Sequence, residues 1–512
     1  MSHTEPRSKR RRLQDVGLLA GPLLAVLVGV SLPESYADAS GEIVPLSAAG
    51  RATTAVAVWM ACWWLSEAIA VYATALLPLV LLPLLGAASM KVAAAPYAHE
   101  LIFLFMGGFM IALAMERWGL HRRIALATLR LAGNQPINIV GAFMFVTAAL
   151  SMWVSNTATA IMLLPVATSV IALVARQHGA ATAAEAVADP TSPLRNFSLC
   201  LLLGIAYSAS IGGLATPIGT PPNVLLLSYV KTHLGREISF ARWMGVALPL
   251  VVVLLPLTWL LLTRVLYRIQ LGPIEGGRQL FSQALRELGP LNRGERSVLV
   301  IFLLAAASWI TRPLLNDLEL AGVRPLAGLT DAGIAMIAAM LLFVAPGERA
   351  PRRFALDWET AIELPWGILL LFGGGLSLAT AIQGNGVGEF LASLTAGLAG
   401  TPSLVIVLSV VTGIVFLTEL TSNTATTATL IPVLAALAPG LGLEPLTLIV
   451  PAAIAASCAF MLPVATPPNA IVFSSGLVRM PEMSHAGFWL NWLAIALITG
   501  LVYAVVIPTL SN

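Results

Sequence analysis

Ten apolar runs of a length suited to a bilayer core of roughly 30 Å constrain this chain more than any other feature. They lie at about 16–34, 52–86, 137–175, 198–230, 240–263, 297–311, 328–345, 402–438, 446–477 and 487–509. Hydrophobic residues make up 58% of the chain and charged residues 10%, too few charges to clothe a soluble domain of this size. Backbone groups in lipid must be satisfied within the spanning structure, and the runs far exceed the roughly ten-residue alternating strands of a membrane β-barrel. The expected fold class is therefore an all-α polytopic membrane protein. Several runs could hold two spans, which gives roughly ten to twelve crossings.

The few charges set orientation. Residues 1–15 contain the basic stretch Arg7-Ser8-Lys9-Arg10-Arg11-Arg12 and lead directly into the first apolar run. No small-residue cleavage site precedes Pro33, so that run reads as an uncleaved span with a cytoplasmic N-terminus. The segment 264–296 carries six Arg against three acids, with Gly272-Pro273, Gly276-Gly277 and Gly289-Pro290. It reads as a cytoplasmic linker. The net charge of +3 thus reports orientation signals, and no basic domain supports a nucleic-acid partner. Cys62, Cys200 and Cys458 lie far apart within apolar runs and form neither a disulfide framework nor a thiolate metal site. The histidines at 99, 121, 178, 233 and 485 show no metal-ligand spacing.

A duplication organises the chain. Ser155-Asn156-Thr157-Ala158-Thr159 recurs 267 residues later as Ser422-Asn423-Thr424-Ala425-Thr426, and residues 155–166 match 422–433 at eight of twelve positions. The same offset carries Phe105, Gly107 and Gly108 onto Phe372, Gly374 and Gly375. Thr220-Pro221-Pro222-Asn223 recurs as Thr466-Pro467-Pro468-Asn469 at an offset of 246, the difference being absorbed by a polar connector, Arg176 to Asn196. Each half then has one order of parts. The first half, 16–263, holds a Gly-rich segment at 100–131, an SNT segment at 137–175 and a TPPN segment at 198–230. The second, 297–512, holds the same parts at 364–393, 402–438 and 446–477. The duplication is visible, whereas inversion of one repeat relative to the other is an analogy with secondary transporters.

Both Gly-rich segments turn at polar residues, Glu116-Arg117-Trp118-Gly119 and Gln383-Gly384-Asn385-Gly386. Arms of about 12 to 15 residues are short for a span and suit a re-entrant helical hairpin. An ordinary helix packed closely through its glycines is the alternative.

The chemistry of the duplicated segments is neutral. Residues 137–175, 198–230 and 446–477 carry no charged side chain, and 402–438 carries only Glu419. Ser, Asn and Thr compete with helical backbone for hydrogen bonds, and paired prolines disfavour helix before them. Both motifs are expected to unwind their helices. Helix N-termini exposed there would suit an anion, and freed carbonyls with hydroxyl and amide oxygens would suit Na⁺. Glu419, an intramembrane acid, is either a functional group or faces the water-filled side of its broken helix. A membrane-embedded hydrolase would need a nucleophile with its base, or a cluster of metal ligands, and these segments supply neither.

At the paired SNT motifs with their downstream TPPN, together with Leu364-Pro365-Trp366-Gly367 leading into Phe372-Gly373-Gly374-Gly375, the chain resembles the divalent anion/sodium symporter family. These are the bacterial relatives of the solute carrier 13 dicarboxylate and citrate transporters, and the likeness covers nearly the whole chain. It implies a homodimer in the bacterial inner membrane, each protomer with a scaffold domain and a transport domain that moves as an elevator. It implies substrate contacts at Asn156, Thr157, Thr220, Asn423, Thr424 and Pro467. It places one Na⁺ site on Ser151, Ser155, Asn156 and Gly219, and a second on Thr418, Ser422, Asn423 and Ala465. Thr220 stands where many members carry Ser. The implied activity is Na⁺-coupled import of C4 dicarboxylates such as succinate, fumarate and malate. Sulfate transport, dicarboxylate exchange and proton-coupled transport are the alternatives.

Overall fold

A computed structural model describes residues 5–37, 42–177, 192–319, 322–348, 353–398 and 400–510, and helix dominates them. Residues 178–191 of the expected polar connector and residues 1–4 of the basic start lie outside the described residues. By length and composition, eight described helices could cross a membrane, or nine if the bent pair Val387–Leu398 and Ser403–Thr418 counts as one span. This is fewer than the ten to twelve expected, because the apolar runs are cut into shorter pieces. The run at 52–86 resolves into Ala48–Ser66, Val71–Thr74 and Leu77–Leu84, and the helices Pro136–Ser151, Asn423–Leu437 and Pro445–Ala456 are all under 18 residues.

Each Gly-rich segment forms a long helix followed, across a two-residue turn, by a shorter one. Glu100–Arg117 turns into Leu120–Leu129, and Trp366–Gly384 turns into Val387–Thr395. Gly119 and Gly386 take φ of +68° and +72° at the corners, a conformation that costs glycine nothing. The arms hold 18 and 10 residues in the first hairpin, 19 and 9 in the second, so the expected 12 to 15 per arm is corrected. The polar turn residues Glu116, Arg117 and Gln383 complete the long arm before the turn. Glycines on the long arms also meet neighbouring backbone. A Cβ on Gly107 would stand 2.7 Å from the Ala335 carbonyl oxygen, and one on Gly374 would stand 2.3 Å from that of Ala75. The turn at each glycine and close glycine packing on the long helix therefore coexist.

Polar contacts fix the hairpin corners. Arg117 pairs with Asp357 at 2.5 Å and Trp118 donates its indole N–H to the Ala355 carbonyl at 2.7 Å. The Arg117 guanidinium holds the Asp357 carboxyl down to about 2. At the other corner Asn385 donates to Thr53 Oγ1 at 2.8 Å and to the Ala87 carbonyl at 3.0 Å.

Each half closes on a long helix that loosens into a π-helical end: Phe240–Leu260 into Leu261–Leu266, and Met480–Leu501 into Val502–Val506. The segment 264–296 contains an amphipathic helix, Gly277–Glu287. Buried apolar side chains form two clusters. One gathers the SNT and TPPN helices with the closing helices, and the other gathers the long hairpin arms with Arg293–Asn316 and Asp331–Val344.

Close helix contact within the first cluster depends on Gly212, where a Cβ would stand 2.3 Å from the Ala148 carbonyl oxygen and 2.5 Å from its Cα. Gly212→Ala should cost about 1–3 kcal/mol through overpacking. Gly413→Ala, whose Cβ would meet nothing within 4 Å, should be neutral or slightly stabilising on helix propensity, by up to about 1 kcal/mol. Thermal melts followed by tryptophan fluorescence separate the two, and equal melting of both variants would refute the close contact.

Candidate functional site

All four duplicated motifs begin a helix. Pro136–Ser151 stops and helix Asn156–Gln177 starts after a four-residue break at 152–155, while Ser403–Thr418 and Asn423–Leu437 flank 419–422. Thr220 and Thr466 are extended N-caps of Pro221–Leu234 and Pro467–Ser474. The expected breaks are present and end at the front of each motif: Ser155, Ser422, Thr220 and Thr466 lie outside the helices and the residues after them form the first turns. The motifs thereby supply what a helix start requires, an N-cap Ser or Thr and, in TPPN, proline in the first turn. Ser155 and Ser422 accept from the Ala158 and Ala425 amides at 3.1 and 3.5 Å.

The two kinds of start differ chemically. In the SNT helices the amides of Asn156, Thr157, Asn423 and Thr424 precede the first capped N–H and have no acceptor among the described residues. They are orphan donors at the positive end of a helix dipole. In the TPPN helices the first two positions are prolines, which have no N–H, and Asn469 N is already capped by Thr466 Oγ1 at 3.3 Å. Free amides for an anion therefore come from the SNT helices alone.

Oxygens converge at each SNT break. Ser151 Oγ lies within hydrogen-bond distance of Asn156 Oδ1 and of the Ala209 carbonyl, the latter at 2.6 Å. Thr418 Oγ1 stands 2.7 Å from Asn423 Oδ1 and 2.8 Å from the Ala456 carbonyl. Three oxygens, a hydroxyl, an amide oxygen and a backbone carbonyl, thus converge within hydrogen-bond distance in each half. A cation is what such an oxygen set accommodates. Gly213 lies between this set and the next loop: a Cβ on it would stand 2.9 Å from Asn156 Oδ1 and 3.0 Å from the Gly219 carbonyl oxygen. Ser151 and Thr418 are fully buried, and Asn156, Thr157, Asn423 and Thr424 are partly open. Thr220 is buried, Ala465 is partly open and Pro467 is exposed.

The TPPN asparagines hold the preceding loops. Asn223 Nδ2 lies 3.1, 3.2 and 2.8 Å from the carbonyls of Gly213, Leu214 and Thr216. Asn469 Nδ2 lies 3.3 and 3.1 Å from those of Ala459 and Leu462. Both Oδ1 atoms are buried without a partner. The motif advertised these residues by its duplication, although they were not among the expected ligands. The Ala209 and Ala456 carbonyls carried no signal, since any residue could supply them.

Glu419 is 3% exposed and does not face water. Its carboxylate accepts from Phe460 N at 2.7 Å, from Met461 N at 3.0 Å to both oxygens, from Leu462 N at 3.1 Å and from Asn491 Nδ2 at 2.8 Å. It is an internal anion that satisfies the orphan amides of the loop before Thr466. The first half has Met152 at the corresponding position, whose carbonyl accepts from Thr216 Oγ1 at 2.5 Å. Trp153, in the same break, stacks on Phe240, which stacks on Trp309, with centroids 5.9 and 4.6 Å apart.

The halves cross over at the site. Asn156–Gln177 packs against Pro467–Ser474, and Pro221–Leu234 packs against Asn423–Leu437. The breaks lie where the two apolar clusters meet, with Leu150 and Leu214 in one and Val154, Ile218 and Ala425 in the other.

Paired polar helix breaks inside a multi-span helical fold suit a membrane transporter. Residues 43–510 match the family described as the sodium:sulfate symporter transmembrane region, and the chain belongs to that family. It is 41% identical over 499 residues, 97% of this chain and 92% of the relative, to the sodium-dependent dicarboxylate transporter SdcS of Staphylococcus saprophyticus. It is 42% identical to the protein of that name from Staphylococcus aureus, over 96% of this chain and 91% of the relative. In fold it is similar to the YdaH transporter of Alcanivorax borkumensis, with TM-score 0.58 and 15% identity over 96% of this chain and 98% of the other. It is also similar to MtrF of Neisseria gonorrhoeae, with TM-score 0.57 and 13% identity over 98% and 96%. The family and these relatives are transporters, not enzymes.

Replacing Glu419 by Gln leaves one acceptor oxygen and turns a donor NH₂ toward backbone N–H groups. Glu419→Gln should lower stability by about 2–4 kcal/mol, the scale of losing charge-assisted hydrogen bonds in a buried site. Methionine at 152 needs no such anchor, so Met152→Leu should melt close to wild type. A Glu419→Gln protein with unchanged melting temperature would show that the carboxylate does not hold the loop.

Proposed function

We propose that this chain is a sodium-coupled dicarboxylate transporter that imports C4 dicarboxylates such as succinate, fumarate and malate. The carrying observation is the matched oxygen set in each half: Ser151, Asn156 and the Ala209 carbonyl, and Thr418, Asn423 and the Ala456 carbonyl. Each set takes one Na⁺. Ser155 and Gly219 complete the first, and Ser422 and Ala465 the second. The orphan amides of Asn156, Thr157, Asn423 and Thr424 receive the carboxylates, with Thr220 and Pro467 shaping the space between them.

Coupling follows from charge. A dianion at buried helix starts is costly to desolvate without counter-charge. Two Na⁺ beside it make a near-neutral package, so cation and anion each raise the affinity for the other. Asn156 and Asn423 serve both ligands at once, the side-chain oxygen toward Na⁺ and the donors toward the carboxylate.

The SdcS relatives, alike over nearly their whole length, favour a dicarboxylate over the sulfate of the family's description. The repeated order of Gly-rich helix pair, SNT break, TPPN break and π-ended helix supports two structural repeats, and analogy with secondary transporters makes them inverted across the membrane with re-entrant hairpins. The meeting of two apolar clusters at the site supports a scaffold and a transport domain that slides as an elevator, and the family resemblance carries the homodimer. The Arg-rich segment 264–296 and the basic N-terminus both face the cytoplasm of the bacterial inner membrane.

Proteoliposomes with an inward Na⁺ gradient should take up succinate, and replacement of Na⁺ by choline should abolish uptake. Asn156→Ala or Asn423→Ala should weaken Na⁺ and succinate binding together, each by about 30-fold, the equivalent of ~2 kcal/mol for a charge-assisted contact. Thermal stabilisation by succinate, citrate and sulfate, each with and without Na⁺, checks the substrate class. Succinate uptake that persists in choline, or Na⁺-coupled uptake retained by both variants, would refute the proposal.

A further inference from the structure

A second polar feature lies away from the helix breaks. A cleft of about 730 Å³ opens between the short arm of the first hairpin, Leu120–Leu129, and the amphipathic helix Gly277–Glu287, lined in part by Arg123, Arg130, Arg286 and Leu291. The volume is that of a small-molecule site.

The three arginines differ in their commitments. Arg123 is consumed by the protein: Nε and Nη2 pair with the Glu295 carboxylate at 2.7 and 3.0 Å, and Nη1 donates to the Gly289 carbonyl at 2.8 Å. Arg130 is exposed and has no side-chain partner among the described residues. Arg286 is exposed and uses only Nε, on the Ser282 carbonyl at 3.3 Å. The single acid of this helix, Glu287, accepts from Gln283 Nε2 at 3.2 Å and does not line the cleft. After Glu295 neutralises Arg123, the cleft keeps two uncompensated guanidiniums.

Exposed apolar side chains stand beside the arginines. Beside Arg130 stands Leu131, 77% exposed, and Leu291 on the lining is 43% exposed. The helix Gly277–Glu287 buries Phe281, whose ring lies 6.0 Å from that of Phe143 on the helix before the first SNT break. Its arginines stay exposed, as in a helix lying along an interface. Guanidiniums above exposed leucines fit a ligand with an anionic head and an apolar tail.

The geometry points to a binding site for an anionic phospholipid, its phosphodiester held by Arg130 and Arg286 and its acyl chains running along Leu131 and Leu291. Basic clefts at the cytoplasmic ends of membrane helices take such headgroups. Because the cleft joins the hairpin to the loop entering Arg293–Asn316, a bound lipid would bridge those two elements.

The test uses purified full-length protein in neutral detergent, titrated with phosphatidylglycerol, phosphatidylcholine or inorganic phosphate. Binding is read by native mass spectrometry and by melting temperature, without Na⁺ or dicarboxylate, so the outcome is independent of the transport reading. Wild type should retain phosphatidylglycerol preferentially. The double variant Arg130→Gln/Arg286→Gln should bind it about 25-fold more weakly, about fivefold per arginine. Arg278→Gln, which removes an equal charge from the same helix outside the cleft, should bind as wild type does. The proposal is overturned if the double variant binds phosphatidylglycerol undiminished or Arg278→Gln loses as much. It is equally overturned if inorganic phosphate alone stabilises the protein as well as the lipid does, which would make the site one for a soluble anion.

Discussion

Backbone polar groups freed inside an apolar interior are the constraint from which the rest of this structure follows. Every helix break there frees amides and carbonyls from the helical ladder, each costing several kcal/mol where it is buried without a partner, on the order expected for buried amides. The chain breaks four helices in this setting. It satisfies most of the freed groups with its own side chains: Asn223 and Asn469 on loop carbonyls, Ser155, Ser422 and Thr466 on helix amides, and Glu419 on the amides of 460–462. Among the groups left without a partner are the first amides of the SNT helices, beside the crowded oxygens, and the Oδ1 atoms of Asn223 and Asn469. A binding site is the residue of this internal accounting.

The two halves solve one problem differently. The first holds its loop with neutral contacts, Thr216 on the Met152 carbonyl and Gly213 close against Gly219. The second holds its loop with a carboxylate one residue from Thr418. The oxygen set of the second half therefore sits beside a negative charge that its counterpart lacks. Two cations in these places would not meet equal potentials.

Much of the site could be read from the chain. The duplicated pentapeptide and tetrapeptide named the breaks, and their hydroxyl and amide content named the type of chemistry. The apolar runs named the class of fold. Three features were not legible. Each break proved to end at the first residue of its motif, because capping geometry is decided by where the preceding helix stops. Hairpin arms came out unequal, since a long arm can carry Glu116 and Arg117 at its end when Asp357 and Thr360 are there to receive the arginine. The orientation of Glu419 depended on Asn491 and on a loop 41 residues along the chain.

The sequence by itself determined that this chain is helical, lives in a membrane and interrupts its helices at matched places with neutral donors and acceptors. Those are properties of composition, proline and spacing, which act locally. Tertiary structure alone decided which oxygens share a site, through backbone carbonyls such as those of Ala209 and Ala456 that any residue could provide. It also decided that an SNT helix of one half packs on a TPPN helix of the other. Such convergence depends on the path of the chain through space, and local sequence does not encode that path.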